Sequence, residues 1–334
     1  MKSTSIVRGC VIASLSLVAA ACGGGVGVSE GEGSADDPIV LKGATAWDEN
    51  AINSVGLFML KEKVEEKSDG RLKIEFVGGP EAIPPLELAE AVRTGVVDVA
   101  DLSTAYYASQ LPGAQVLNYS ELTPDEEREN GAIDYLNTLH HETLNARILG
   151  RSLAGGYSMY AAEPVDNLAD LEGLVFRSTP TYVPLVEALG ADYVETPGSE
   201  IYSAVERGVV EAYVWPDHGV SDMGLQEVTA CQVEPFFWTI DDINLMNLDS
   251  WNSLPDDLKA IVEEASIEVT NEVGERVEEF REKEAKIFAD EGVKTCELSD
   301  GAELEKLANE SAWKWVEDSL PTEQSEQFQK LFRK

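Results

Sequence analysis

Ala91-Val92-Arg93-Thr94-Gly95-Val96-Val97-Asp98 returns as Ala204-Val205-Glu206-Arg207-Gly208-Val209-Val210-Glu211. In each copy a helical run ends at a glycine, the residue that most readily takes the left-handed conformation closing a helix, and a Val-Val strand start follows. The flanks match as well. Leu72 to Val77 and Tyr193 to Glu195 read as strands that pass through a Gly/Pro loop into the short helix. A repeated strand, helix, glycine and strand predicts two similar lobes; the alternative is two unrelated junctions of a kind common in α/β proteins.

Working outward, extended runs alternate with amphipathic ones from Ile39 onward, at the spacing of βα units with largely parallel sheets. Val40-Leu41-Lys42 is strand-like, Asn53 to Lys67 carries apolar positions at Val55, Phe58, Met59 and Val64, and Ser68-Asp69-Gly70 ends that helix. Open parallel sheets bind ligands at the carboxyl ends of their strands, so facing lobes would offer Asp101 to Tyr107 from one side and Tyr213 to His218 from the other. Pro255 to Glu291 places Leu258, Val262, Val269, Val277 and Phe288 on one stripe of about ten turns. Such a helix can brace both lobes. A coiled coil is the other reading, but acids dilute the stripe and leucine heptads are not sustained.

The 334 residues carry 62 acids against 25 basic residues, a net charge of -37. Phosphate backbones and anionic headgroups would be repelled, so nucleic acid is not an expected partner, and the acid excess fits solubility in high salt. At the N-terminus Lys2 and Arg8 precede an apolar stretch, Cys10 to Leu17, and then Ala19-Ala20-Ala21-Cys22. Residues 1–21 therefore read as a signal peptide. Small residues before a cysteine predict lipidation of Cys22, with ordinary cleavage and a free thiol as the alternative; 22–38, rich in Gly, Ser and acids, reads as a flexible tether. Cys231 and Cys296 remain, in a compartment that permits oxidation, as one disulfide or as two separate thiols.

Further motifs concentrate between 170 and 211: Asp170-Leu171-Glu172-Gly173-Leu174-Val175-Phe176-Arg177, Leu189-Gly190-Ala191, and Glu200-Ile201-Tyr202-Ser203-Ala204-Val205 running into the second repeat copy. With Lys67-Ser68-Asp69-Gly70-Arg71 and Leu254-Pro255, they make the chain similar to the substrate-binding component of tripartite ATP-independent periplasmic (TRAP) transporters, the family with the dicarboxylate-binding DctP-like and sialic acid binding proteins. The resemblance covers nearly the whole mature chain. It implies an α/β, two-lobed periplasmic-binding-protein-like fold with the long helix bracing both lobes, lobe 1 spanning 39–154 plus about 243–272 and lobe 2 spanning 155–242 plus about 273–334. It also implies an extracytoplasmic protein, anchored to the membrane through Cys22, that captures a small organic acid by hinge closure and passes it to a TRAP permease.

Arg177 matches the family arginine that pairs with the ligand's carboxylate, a role suited to a guanidinium's parallel donors and permanent charge. Trp215 stands where related chains carry an asparagine, and its indole can cover an apolar or sugar-ring face. Tyr157 falls where some sialic acid binders have a second basic residue, so one carboxylate is the expectation. On the opposite lobe Ser103, Tyr106, Tyr107, Trp47 and Glu81 are ligand-facing candidates, with Asp217 and His218 weaker ones. No cofactor or metal site is expected. His141-Glu142-Thr143-Leu144 starts like a zincin helix, but Asn145 stands where the second histidine is needed. Neither a Gly-x-Ser-x-Gly elbow nor a phosphate loop occurs, so an enzyme is not expected, with a secreted hydrolase using paired carboxylates as the alternative.

Overall fold

The structure, a computed structural model, describes residues 33–334; the expected signal peptide, Cys22 and most of the tether lie outside the described residues. The tether's last residues form a hydrogen-bonded turn, Ser34 to Asp37, leading into the first strand. Eleven strands follow among the described residues: β1 (Ile39–Thr45), β2 (Leu72–Gly78), β3 (Val99–Ser103), β4 (Ala146–Arg151), β5 (Tyr157–Ala161), β6 (Val175–Ser178), β7 (Asp192–Glu195), β8 (Ala212–Pro216), β9 (Cys231–Glu234), β10 (Asp242–Asn247) and β11 (Lys294–Glu297).

They form two sheets, ordered β2-β1-β3-β10-β4 and β11-β9-β5-β8-β6-β7. The first sheet, read left to right, matches the second read from β7 backwards. In each, a first strand (β1, β6) lies between two parallel partners (β2 and β3; β7 and β8), and an antiparallel strand (β10, β5) closes on the last. The antiparallel strand in each sheet qualifies the expectation of largely parallel sheets. It comes from outside its own βαβαβ unit, so the chain crosses between lobes after β4 and again before β10.

The repeated glycines do what the sequence predicts. Gly95 and Gly208 adopt φ +72° and +66°. In both copies the glycine N–H reaches back to a valine carbonyl (Val92, 3.0 Å; Val205, 2.9 Å) and the following valine N–H to an alanine carbonyl (Ala91, 2.9 Å; Ala204, 2.8 Å). This pair of bonds satisfies the open carbonyls of the helix end and aims the chain into β3 and β8.

Apolar clusters lie on each sheet, and the helix Asp256–Glu291 runs across both lobes: Val262, Ala265 and Val269 pack in lobe 1, Val277 and Phe288 in lobe 2. The C-terminal segment departs from the expected boundary. Helix Gly301–Ser319 starts on lobe 2 through Leu304 and Ala308, but Trp313 and Val316 join the lobe 1 core, as do Phe328 and Phe332 of helix Thr322–Phe332. Each of these two phenylalanines is fully buried, which stabilises that docking by about 1.5–3 kcal/mol apiece. Assigning the whole of 273–334 to lobe 2 is therefore corrected: the chain crosses a further time and ends on lobe 1. No helix among the described residues is long and apolar enough to cross a membrane.

Candidate functional site

The strand ends of the two sheets face one another across a cleft. Its inner chamber is lined by Ser103, Tyr106 and Asp242 from lobe 1 and by Arg177, Thr179 and Trp215 from lobe 2, with Trp47, Asn53, Tyr157 and Tyr182 completing the walls. The chamber measures about 20 Å³, room for about one water. Trp47, Asn53, Tyr106 and Trp215 also border an outer chamber of about 360 Å³, a volume typical of small-molecule sites. The lobes touch around it: the Ile52 N–H donates to the Asp222 carboxylate (2.8 Å) and the Tyr119 hydroxyl to the Thr181 carbonyl (2.8 Å).

Arg177 sits on β6, where strand alternation sends the neighbouring Phe176 into the lobe 2 core and Arg177 to the opposite face. The two adjoining chain segments grip the guanidinium: Nε donates to the Thr196 carbonyl beyond β7 (2.9 Å) and Nη1 to Val214 in β8 (3.5 Å). Nη2 has no partner, and the group pairs with no carboxylate among the described residues although it is 1% exposed. Burial pulls its pKa down. The Trp215 ring stands 5.6 Å from Cζ, within cation–π range, and is held against Gly198, where a Cβ would lie 2.8 Å from the indole. The Thr179 hydroxyl, also without a partner, lines the same wall. A buried cation with a free N–H beside a free hydroxyl is a ready receptor for a carboxylate, because an unmet buried donor costs about 1–3 kcal/mol until a ligand satisfies it.

The facing wall is acidic. Asp241 accepts from Ser103 Oγ (2.9 Å), Thr104 N–H (2.9 Å), Thr104 Oγ1 and Tyr157 Oη (2.8 Å). Asp242, opposite Ser103 in register, accepts from Asn53 Nδ2 (3.0 Å). Asp101 accepts from Ser152 Oγ (2.6 Å) and Leu57 N–H (3.0 Å). Burial pushes the Asp101 carboxyl up to about 7, and burial with the nearby Asp241 and Asp101 holds Asp242 well above the usual carboxylate range.

Arg177, Trp215, Trp47, Tyr157 and Ser103 thus come together on one chamber, while three expected residues do not. Tyr107 is turned into the lobe 1 core, its hydroxyl 3.0 Å from His140 Nε2; its neighbour Tyr106 reaches the cleft instead. Glu81 folds back on its own loop, accepting from the Gly79 N–H (2.9 Å). Asp217 leaves the cleft for the back of lobe 2, where it binds Arg281 (2.6 Å) and His218 (2.6 Å). Sequence reading missed Asp242, Asn53, Thr179 and Tyr182. Thr179, two residues past Arg177, is the one that its strand position could have revealed. Cys231 and Cys296 lie on adjoining β9 and β11 as buried free thiols, not as a disulfide in this structure, and burial followed by the Cys296 thiol pushes Cys231 up to about 12. Among the described residues no group of three or more His, Cys, Asp or Glu is placed to hold a metal ion.

Known proteins share this fold. The monocarboxylate 2-oxoacid-binding periplasmic protein of Nostoc sp. is 23% identical over 235 residues, 67% of this chain, and the chain spans 64% of that relative's length. A TRAP periplasmic solute-binding protein from Desulfovibrio salexigens, solved with orotic acid, superposes with TM-score 0.76 at 18% identity, covering 88% of this chain and 98% of the other. One from Sulfitobacter sp. NAS-14.1, solved with β-D-galacturonate, gives 0.76 at 20% identity, covering 88% and 99%. These likenesses bear out the two-lobed fold. The model of the bacterial extracellular solute-binding proteins, family 7 (DctP), matches residues 43–317, and this chain belongs to that family.

Proposed function

We propose that this protein is the extracytoplasmic solute-binding component of a TRAP transporter, lipid-anchored through Cys22, that binds a small carboxylate-bearing organic acid between its lobes and delivers it to the membrane permease. The observation that carries the reading is Arg177, a fully buried guanidinium with an unmet N–H, no carboxylate partner among the described residues and a water-sized chamber before it that shares Trp47, Asn53, Tyr106 and Trp215 with the larger outer one. The solute enters the outer chamber with the lobes apart. Its carboxylate docks on Arg177 and Thr179, and Trp47, Tyr106 and Trp215 cover its body from both lobes. Contacts to both walls exist together only when the cleft is closed, and that differential affinity draws the hinge shut. The relatives named above are described as binding proteins for a 2-oxoacid, orotic acid and galacturonate, each carrying a carboxylate, and nothing in them supports the hydrolase alternative.

The test is thermal unfolding of the mature domain against a panel of oxo, hydroxy, sugar and amino acids. A ligand that binds the folded form raises the midpoint, by about 2.7 kcal/mol of stability at a hundredfold excess over Kd. One class of acids should shift the wild type, with recovery of unchanged solute. A panel without any shift, or turnover of a solute, contradicts the reading.

A further inference from the structure

A guanidinium and a carboxyl group face the inner chamber, and neither has an oppositely charged partner among the described residues. On the lobe 2 wall Arg177 pairs with no acid. On the lobe 1 wall Asp242, 2% exposed, uses one oxygen to accept from Asn53 and has no protein hydrogen bond on the other among the described residues. Asp241 and Asp101 sit close enough to act on its charge, and no Lys, Arg or His pairs with any of the three among the described residues. The other titratable groups facing Asp242 are the hydroxyls of Tyr106, Tyr157 and Tyr182, which bring no positive charge. Asp241 is satisfied by four donors, so Asp242 is the acid left to meet a ligand.

We infer that the solute carries a protonated nitrogen as well as its carboxylate, Arg177 taking the carboxylate and Asp242, across the same chamber, taking the N–H of the cationic end. The inference rests on the carboxylate-binding reading of Arg177 and goes beyond it by naming the solute's second group. A plain monocarboxylate would satisfy Arg177 but leave the free oxygen of Asp242, the acid that lines the chamber, without a donor or a cation. A hydroxyl would supply Asp242 with a hydrogen bond but leave the field of the acids uncompensated. A zwitterion adds no net charge and satisfies both walls, and a buried charge is stable only when so paired. Trp47, Tyr106 and Trp215 lie around the space between the two ends, where aromatic faces suit the apolar body of a small cyclic or branched amino acid and a cation beside them.

The experiment uses pairs that differ only at the nitrogen: L-proline against tetrahydrofuran-2-carboxylate, pipecolate against tetrahydropyran-2-carboxylate, and 4-aminobutanoate against 4-hydroxybutanoate. Each is titrated calorimetrically into the wild type, Asp242→Asn and Arg177→Met. At least one nitrogen member should bind more than about tenfold tighter than its oxygen counterpart. Asp242→Asn should bring that ratio within about threefold, and Arg177→Met should abolish binding of both members. Lowering the pH on the wild type alone should also shrink the ratio, because the cation pairs with the ionised form of Asp242 and protons compete for it, a readout that does not depend on a variant folding. Oxygen members that bind as well as their counterparts, with Arg177 still required, overturn the inference while the carboxylate reading stands. If no member of any pair binds, the inference falls, and the broader acid panel decides the carboxylate reading by itself.

Discussion

Two arginines are buried at the ends of strands in opposite lobes, and they are solved in opposite ways. Arg151, closing β4 in lobe 1, has all its needs met: its guanidinium pairs with Glu127 (2.6 Å) and donates to the carbonyls of Ile240 (2.7 Å) and Leu117 (3.0 Å). It thereby ties the strand to the chain just before β10, at the place where the lobes are joined. Arg177, on β6 in lobe 2, is held by two carbonyls, keeps one N–H open and has no anion. One charge is completed by the fold; the other, on the reading proposed above, is completed by a solute. The register sharpens the contrast. Val99 pairs with Gly43 in lobe 1 as Ala212 pairs with Phe176 in lobe 2, so the lobe 1 counterpart of Arg177 is Ala44. The two lobes share a scaffold but not a wall chemistry, lobe 1 bringing acids and lobe 2 the cation.

Breaking the completed pair should have the largest effect. Arg151→Met leaves Glu127 buried and unpaired and is expected to cost about 3–5 kcal/mol of stability, read as a lowered denaturation midpoint in urea. Glu127→Gln makes Arg151 nearly as unpaired as Arg177 and should cost less, since two carbonyl acceptors remain. A variant of either kind that unfolds at the wild-type midpoint would erase the distinction between the two arginines.

The second contrast lies within lobe 1, where two fully buried groups titrate in opposite senses. His140, held neutral by burial and brought down to about 4, binds its proton more weakly folded than unfolded, so its contribution to stability is present above pH of about 6.5 and lost as pH falls toward 4. Asp101, pushed up to about 7, holds its proton more tightly when folded, so its contribution is present below pH of about 4 and lost as pH rises through 7. Between those limits the slopes oppose, each at most about 1.4 kcal/mol per pH unit. His140→Gln removes one arm, and the urea midpoint of the variant should then gain on the wild type as pH is lowered from neutrality. An unchanged difference across that range would contradict the assignment.

The smallest effect tests the likeness of the lobes. Ala at Gly95 or Gly208 meets no atom closer than 4.0 Å, so the cost is backbone strain alone, about 1 kcal/mol at each site and similar at both. A large difference between the two would mean that the repeat junctions carry unlike loads.

This comparison also explains what could be read in the chain. The repeat was legible because a left-handed glycine and a Val-Val strand start are local requirements, written within eight residues. Arg177 was legible through its motif. The acid wall was not, because β10 enters lobe 1 from far along the chain, and Asp242 meets Asn53 across 189 residues of sequence. Tyr106 and Tyr107 read alike as ligand-facing candidates because composition does not reveal that neighbouring positions of the short helix Thr104–Tyr107 point differently. Asp217 follows Pro216 at the end of β8 but turns toward Arg281 on the long helix, a partner no local pattern announces. The resemblance puts the C-terminal helices on lobe 2, whereas Phe328 and Phe332 are buried on lobe 1 through contacts that no local pattern announces.

The most direct test of the central claim is the unfolding of Arg177→Met measured without and with an acid that stabilises the wild type. Removing an uncompensated buried charge should leave the empty protein as stable as the wild type or more so, and should abolish the ligand-induced rise in midpoint. A variant that is destabilised when empty and still responds to the acid would show Arg177 to be a structural residue and place the carboxylate elsewhere.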